Sequence, residues 1–203
     1  MFKRIKDKFR QFFLMIKYFK DVRSIARRMF ITNTFDSIFA SIGVAIGGYK
    51  GGVNPVLLGM SILGGGLTMG FFSSFLAVYL SERTERLNEL KRLEKELMIS
   101  LKDSIYGKSI GTISFYISLW SSFGSIIFTF FISLPYFLLG VFGLKIFISF
   151  IASLSIALAE LVYLGYYMSK ISNEKAVTTI SRNIALGALA ILFMLTIKLL
   201  ILK

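Results

Sequence analysis

The chain has 203 residues, and 24 Lys and Arg against 11 Asp and Glu give it a formal net charge of +13. Counting Gly in place of Tyr, about 59% of the residues are apolar, above the roughly 45 to 50% of soluble domains, which argues against an ordinary soluble enzyme. The basic residues lie between long stretches that are nearly free of charge. This pattern predicts an all-α polytopic membrane protein without a nucleic-acid partner.

The first predicted element is an amphipathic helix within residues 1–28. Apolar residues recur every three or four positions from Phe2 to Phe19, and basic residues fill the opposite face. Such a helix lies along the inner membrane surface, where it contacts anionic lipids. A helix that binds a partner protein is the alternative. The segment lacks the long apolar core of a secretory signal peptide, so we expect it to be retained.

Five stretches that follow are long and apolar enough to cross a bilayer as helices. They cover about residues 29–49, 55–81, 111–139, 144–168 and 180–202, with a short charged cytoplasmic helix at 82–102 after the second.

The orientation follows from the basic residues, because cytoplasmic loops carry an excess of Lys and Arg. Twenty of the 24 lie in residues 1–28, 82–108 and 170–182. These segments are on the same side because two spans separate each from the next, and the odd number of spans puts the termini on opposite sides. We therefore predict a multi-pass protein of the cell membrane with its N-terminus in the cytoplasm and its C-terminus outside.

Two acidic residues lie inside predicted spans. By helical rise, Asp36 is about 10 Å and Glu160 about 15 Å below the cytoplasmic edge, and Met69 is about 20 Å deep on the second span. An ionisable group at such depth is costly and marks an ion or proton path. We expect Asp36, Met69 and Glu160 to bind a transition-metal ion such as Fe²⁺ or Mn²⁺. Simple packing of Met69, and pairing of Glu160 with a Ser or Tyr of a neighbouring helix, are the alternatives.

Small residues in the second span predict a close helix contact. Gly66 and Gly70 form a small-xxx-small pair, and Gly59 extends the supply of small residues. Such residues let helix backbones approach, either within one protomer or across a dimer interface. Backbone that lines a transport pathway is the alternative.

Glu82, Glu85 and Glu89 fall on one face of the charged helix that follows the second span. They would gather cations at the cytoplasmic mouth of a pathway. The alternative is a solvated face with ordinary ion pairs, since Glu82 with Arg86 and Glu89 with Arg92 have the spacing for them.

The chain has no Cys and no His, which excludes disulfides, thiolate or imidazole metal ligands, and Cys or His catalysis. No phosphate-binding loop or nucleophile elbow is present either. We expect no enzyme and no resident cofactor, with a metal ion only as transported substrate.

The order of these segments resembles the vacuolar iron transporters and their prokaryotic relatives, over about residues 31–203. The matching pieces are Asp36-Ser37 in the first span, Leu67 to Gly70 in the second, the charged run from Ser81, and Leu134 to Leu138 in the third. The resemblance implies a homodimer that exports Fe²⁺ or Mn²⁺ from the cytoplasm in exchange for protons, with Asp36 and Met69 as metal ligands.

The chain also departs from that family. Ser37 stands where the family commonly has Gly, and Ser61 and Ser73 stand where it has Glu. The metal exporter that the resemblance implies is the leading hypothesis. The missing glutamates motivate one alternative, a transport-inactive scaffold or lipid-binding protein that works through its N-terminal helix. The other alternative is a transporter or channel for another solute.

Overall fold

The computed structural model describes residues 20–143 and 145–201, and within these ranges every regular element is a helix. The helices are α1 (Lys20–Lys50), α2 (Pro55–Leu67), a π-helical segment (Thr68–Phe75), α3 (Leu76–Leu97), α4 (Ile105–Val141), α5 (Ile146–Ser172) and α6 (Ala176–Ile201). Five helical stretches of the described chain are long and apolar enough to cross a membrane. The predicted all-α polytopic class is confirmed.

The predicted N-terminal surface helix lies mostly outside the described residues. Its last part, residues 20–28, belongs to α1, which continues without a break into the first span. The predicted charged helix is likewise the end of a continuous run, since α2, the π-helical segment and α3 follow one another directly. It ends at Leu97 rather than at 102, because Met98 adopts the left-handed conformation with φ of 53°.

Short caps and turns separate the spans. Pro55 opens α2, and the side chain of Asn54 accepts a hydrogen bond from the Val56 amide at 2.9 Å. The Ser104 hydroxyl accepts one from the Gly107 amide at 3.1 Å and caps α4. These contacts satisfy amide groups that have no partner inside their own helix. The turn before α5 contains Gly143 at φ of 67°, so that helix begins at Ile146 rather than at 144.

Helix α4 is the centre of the bundle and packs against α1, α2, the π-helical segment, α3 and α5. One side of it is a ladder of small hydroxyl residues. Those that are buried are Ser109, Ser114, Ser118, Ser121, Ser122, Ser125, Thr129 and Ser133. Several hydroxyls donate to carbonyls of their own helix, as Ser122 does to Ser118 at 2.9 Å. Among the described residues, the Thr129 hydroxyl has no hydrogen-bond partner, but the other seven buried hydroxyls are satisfied. The small side chains also admit neighbouring helices.

The contact between α1 and α4 is polar as well as close. The Asn33 side-chain amide donates to the Ser121 hydroxyl, and the Ser125 hydroxyl donates to the Asn33 carbonyl at 2.8 Å. Beside them, Gly124 lies against Thr34 and Phe30, where a Cβ atom would come within 2.7 Å of the Phe30 ring. The absence of a side chain at Gly124 therefore sets how near α1 lies.

An apolar core joins α1, α2, α4 and α5. It contains Ile38, Ile42, Leu58, Ile132 and Leu161, all nearly inaccessible. Helix α6 packs mainly against α5 and also contacts α1. The α5 and α6 backbones lie close together, since a Cβ atom on Gly165 would lie only 2.7 Å from the Ile180 Cα. A large pocket of the described bundle lies between α4 and α5.

Candidate functional site

The pocket between α4 and α5 has a volume of about 610 Å³, and Phe30 of α1 also lines it. Seven of its twelve lining residues are aromatic. The aromatic residues are Phe30 from α1, Trp120, Phe123, Phe128 and Phe131 from α4, and Tyr163 and Tyr167 from α5. The size is that of a small-molecule site, since such pockets measure roughly 300 to 1,000 Å³.

The aromatic wall is continuous. The Phe30 ring centroid lies 5.8 Å from that of Trp120, 6.5 Å from that of Phe128 and 6.0 Å from that of Tyr167. Phe128 in turn lies 6.0 Å from Tyr163. Tilted and edge-to-face arrangements at these separations are favourable between rings. Phe30 therefore connects the rings of α4 with those of α5.

Glu160 is the acidic residue among the lining residues. It is only 8% exposed, and both carboxylate oxygens are buried without a hydrogen-bond partner among the described residues. On α5 it lies one turn before Tyr163 and two turns before Tyr167, so the three share the face that forms the pocket wall. Burying a carboxyl group without a partner costs several kcal/mol in apolar surroundings. No Ser or Tyr of the described residues, the predicted alternative partners, forms a hydrogen bond with Glu160.

The mouth of the pocket lies on the outer surface of the bundle. Tyr163 is 56% exposed, Phe123 is 53% exposed and Trp120 is 41% exposed. Because α4 and α5 are both long and apolar enough to cross a membrane, a mouth between them lies on the surface that a bilayer would surround. In the single chain, the rings are accessible from that surface without passage through the core of the protein.

The other two predicted metal ligands lie elsewhere. Asp36 is exposed on α1, and Met69, 45% exposed, lies on the π-helical segment. Neither residue lines the pocket that contains Glu160. Within the described ranges, no three His, Cys, Asp or Glu side chains form a group that could hold a metal ion. One chain therefore does not bring Asp36, Met69 and Glu160 into a common pocket.

The π-helical segment Thr68–Phe75 interrupts the second span and contains Met69. The turns of this segment are wider than those of an α-helix. In keeping with this, the Ser74 hydroxyl donates a hydrogen bond of 2.9 Å to the carbonyl of Met69, five residues earlier. Insertions of this kind are rare and are frequently found at functional sites. The segment packs against α4 through Gly70.

The predicted glycine face lies against α4 of the same chain. A Cβ atom on Gly59 would lie 2.9 Å from the Tyr136 Cβ, and one on Gly70 would lie 2.6 Å from the Ser125 Cβ. One on Gly66 would overlap the Thr129 side chain. All three glycines are buried, so in the described chain they serve a contact within the protomer.

The predicted cation-gathering residues have different surroundings. Glu82 lies 3.7 Å from the buried guanidinium of Arg86, and Glu89 accepts a hydrogen bond of 2.5 Å from the Tyr106 hydroxyl. Glu85 is exposed. Arg92 pairs with Glu96 at 3.0 Å rather than with Glu89. Two of the three carboxylates are thus engaged in contacts within this end of the bundle.

The aromatic wall is absent from the site predicted from the sequence. Its signal was present as spacing: Trp120, Phe123 and Phe131 recur at helical intervals on the third span, and Tyr163 and Tyr167 follow Glu160 at intervals of three and seven residues. Aromatic residues are common at helix surfaces in membranes, so the spacing on one helix carries little weight until the facing helix is known.

The fold and the pocket define a class: a polytopic α-helical membrane protein with a laterally open aromatic pocket and a buried carboxyl group. No protein-family model, curated protein or solved structure matches the chain.

Proposed function

We propose that the protein is a membrane transporter for a cation, with Glu160 as the residue that balances the charge of the bound substrate. The supporting observation is the buried carboxyl group of Glu160, which has no partner among the described residues and lines a pocket within the helix bundle. An ionisable group at membrane depth is expensive and typically belongs to an ion or proton path. A cation would supply the partner that the described residues do not.

The same carboxyl group couples the substrate to protons in this proposal. A proton and a cation compete for it, so one leaves when the other binds. The remaining ionisable residues that line the pocket are Tyr163 and Tyr167, both on α5, and the lining residues from α1 and α4 carry no ionisable side chain. Exchange of a cytoplasmic cation for an external proton would export the cation, with the N-terminus in the cytoplasm as the basic residues predict.

Export of Fe²⁺ or Mn²⁺ is the second candidate for this function. It is favoured by the exposure of Asp36 on a helix that is apolar enough to cross a membrane. A carboxylate facing lipid is costly, and a second copy of the chain would cover it. In that arrangement Asp36 and Met69 would contribute to a metal site that requires the homodimer.

Transport assays in proteoliposomes test the two candidates together. Purified full-length protein is reconstituted with an acidic interior, and uptake of Fe²⁺, Mn²⁺ and organic cations is measured. Glu160→Gln removes the proposed charge, Asp36→Asn removes that of the second candidate, and Asp103→Asn is the matched control because Asp103 is a fully exposed loop residue.

We expect uptake of at least one cation that Glu160→Gln abolishes and Asp103→Asn leaves unchanged. If Glu160→Gln transports every tested cation as well as the unaltered protein, the assignment of Glu160 is wrong. Metal uptake that depends on Asp36 and is independent of Glu160 would establish the second candidate in its place.

A further inference from the structure

We propose that the Glu160 pocket binds a lipophilic organic monocation, such as a quaternary ammonium or phosphonium ion. This inference names the substrate class of the proposed transporter. It rests on the proposed function only for the step after binding, which is transport of the bound cation. The binding itself is argued from the charge, the walls, the size and the position of the pocket.

The walls of the pocket suit a diffuse positive charge. A cation within about 6 Å of an aromatic ring centre is attracted to the ring face, most strongly for Trp and when water is excluded. Phe30 lies between Trp120 and Tyr167, with ring centroids at 5.8 and 6.0 Å, so a bound cation meets several rings at once. The rings provide attraction and the Glu160 carboxylate provides the opposite charge.

The size and the donor chemistry of the pocket favour an organic ion over a bare metal ion. A transition-metal ion needs several oxygen, nitrogen or sulfur ligands at roughly 2 Å. The lining has one carboxyl group and two phenols in about 610 Å³, and the rest of it is apolar except for the indole of Trp120. An organic cation fills such a volume with its own apolar groups. Its charge is attracted to the carboxylate through the low-dielectric interior without direct ligation, which matters because both Glu160 oxygens are buried.

The position of the mouth favours a ligand that partitions into the membrane. Trp120, Phe123 and Tyr163 are between 41% and 56% exposed on the lipid-facing side of α4 and α5. A lipophilic cation concentrates in the bilayer interface and enters between these rings. A strongly hydrated ion has no comparable route to this mouth, since it would have to shed its water in hydrocarbon.

The chain supplies its own reporter for a binding experiment. Trp120 is the only Trp in the sequence, and it lines the pocket. The full-length protein is placed in lipid nanodiscs and its Trp fluorescence is titrated with tetraphenylphosphonium. Tetraphenylborate, which has the same shape and the opposite charge, is the matched control ligand.

We expect saturable quenching by tetraphenylphosphonium that Glu160→Gln weakens by about tenfold or more, because the variant keeps the shape and loses the charge. Asp103→Asn should leave the affinity unchanged. Phe30→Leu, which keeps an apolar side chain and removes the central ring, should weaken binding by about threefold or more. Phe30→Leu serves as the second variant if Glu160→Gln fails to fold. In both variants, the affinity for tetraphenylborate should not fall in parallel with the affinity for tetraphenylphosphonium.

Equal affinity for the two ions, or an affinity for tetraphenylphosphonium that is unchanged in Glu160→Gln, would overturn the inference and leave a purely apolar pocket. Displacement of the organic cation by lower concentrations of Mn²⁺ would overturn it in favour of a metal site. Glu160-dependent binding without uptake in proteoliposomes would refute transport and retain the organic-cation site. Glu160-dependent metal uptake without organic-cation binding would refute the organic-cation site and retain Glu160-dependent cation transport.

Discussion

The ring of Phe30 in α1 lies 5.8 Å from the ring of Trp120 in α4, and the same Phe30 ring packs beside Gly124. The contact that holds the two helices together is therefore also the contact that shapes the pocket wall. Because Gly124 has no side chain, α1 comes near enough for Phe30 to reach both α4 and α5. Helix packing and the shape of the pocket are therefore coupled at this crossing.

Replacing Glu160 with Met should stabilise the empty protein. The carboxyl group is buried without a partner among the described residues, and Met has a similar length without the polar group. We expect a gain of about 1 to 3 kcal/mol in the free energy of unfolding, from the desolvation cost that is removed. Thermal unfolding in detergent measures it. Glu160→Gln, which keeps an unpaired polar group, should gain less. A lower unfolding temperature for the Met variant would indicate that Glu160 has a partner in the assembled protein.

Two adjacent glycines in α2 should respond in opposite ways to a methyl group. A Cβ atom on Gly66 overlaps Thr129 of α4, whereas one on Gly65 meets nothing within 4 Å. Gly66→Ala should therefore destabilise the bundle by about 1 to 3 kcal/mol through overpacking. Gly65→Ala should stabilise it by about 0.5 to 1 kcal/mol, because Ala is the better helix former. Unfolding of both variants under the same conditions tests the contact. Equal effects would mean that α2 does not pack on α4 through Gly66.

The polar link between α1 and α4 should contribute a modest amount of stability. Asn33→Ala removes the donor to the Ser121 hydroxyl and keeps the backbone carbonyl that accepts from Ser125. Interhelical hydrogen bonds in membranes are worth about 0.6 kcal/mol on average and seldom more than about 1.7 kcal/mol. We expect a loss in that range. Thr32→Ala is the neighbouring control, since the Thr32 hydroxyl is exposed and bonds only to the carbonyl of Arg28 in its own helix. A loss for Thr32→Ala as large as that for Asn33→Ala would remove the case for the link.

The orientation of the chain can be tested by chemical labelling, because the sequence contains no Cys. Val53 and Ser100 are exposed in the loops that follow α1 and α3. From the distribution of Lys and Arg, a membrane-impermeant maleimide should label Val53→Cys in intact cells and Ser100→Cys only after permeabilisation. The reverse pattern would place the N-terminus outside and invert the proposed direction of transport.

The spans were predictable because their signal is local. Long uncharged stretches must become helices that cross a bilayer, since hydrocarbon leaves backbone amides no other partner. The errors are at helix ends. The charged helix stops at Leu97 because Met98 adopts the left-handed conformation, which nothing in the adjacent residues signals. The small residues of the second span indicated a close contact, but only the structure identified α4 of the same chain as the partner.

The candidate site was predictable only in part. Depth follows from the number of residues along a helix, so the presence of Asp36 and Glu160 inside spans could be read from the sequence. Which of them faces the interior depends on the rotation of each helix about its axis. Asp36 is exposed and Glu160 is buried. Both lie in apolar stretches, and no periodic pattern around either residue separates the two cases.

By itself, the sequence determined that this is a multi-pass helical membrane protein, because the hydropathy and length of each span are local properties of one stretch of the chain. The tertiary structure alone decided that Glu160 lies in an aromatic pocket away from Asp36 and Met69. The pocket is made by side chains from three helices, and its first and last lining residues, Phe30 and Tyr167, are 137 positions apart in the chain. Their meeting depends on how closely Gly124 lets α1 approach α4, a relation between helices that no single stretch of sequence contains.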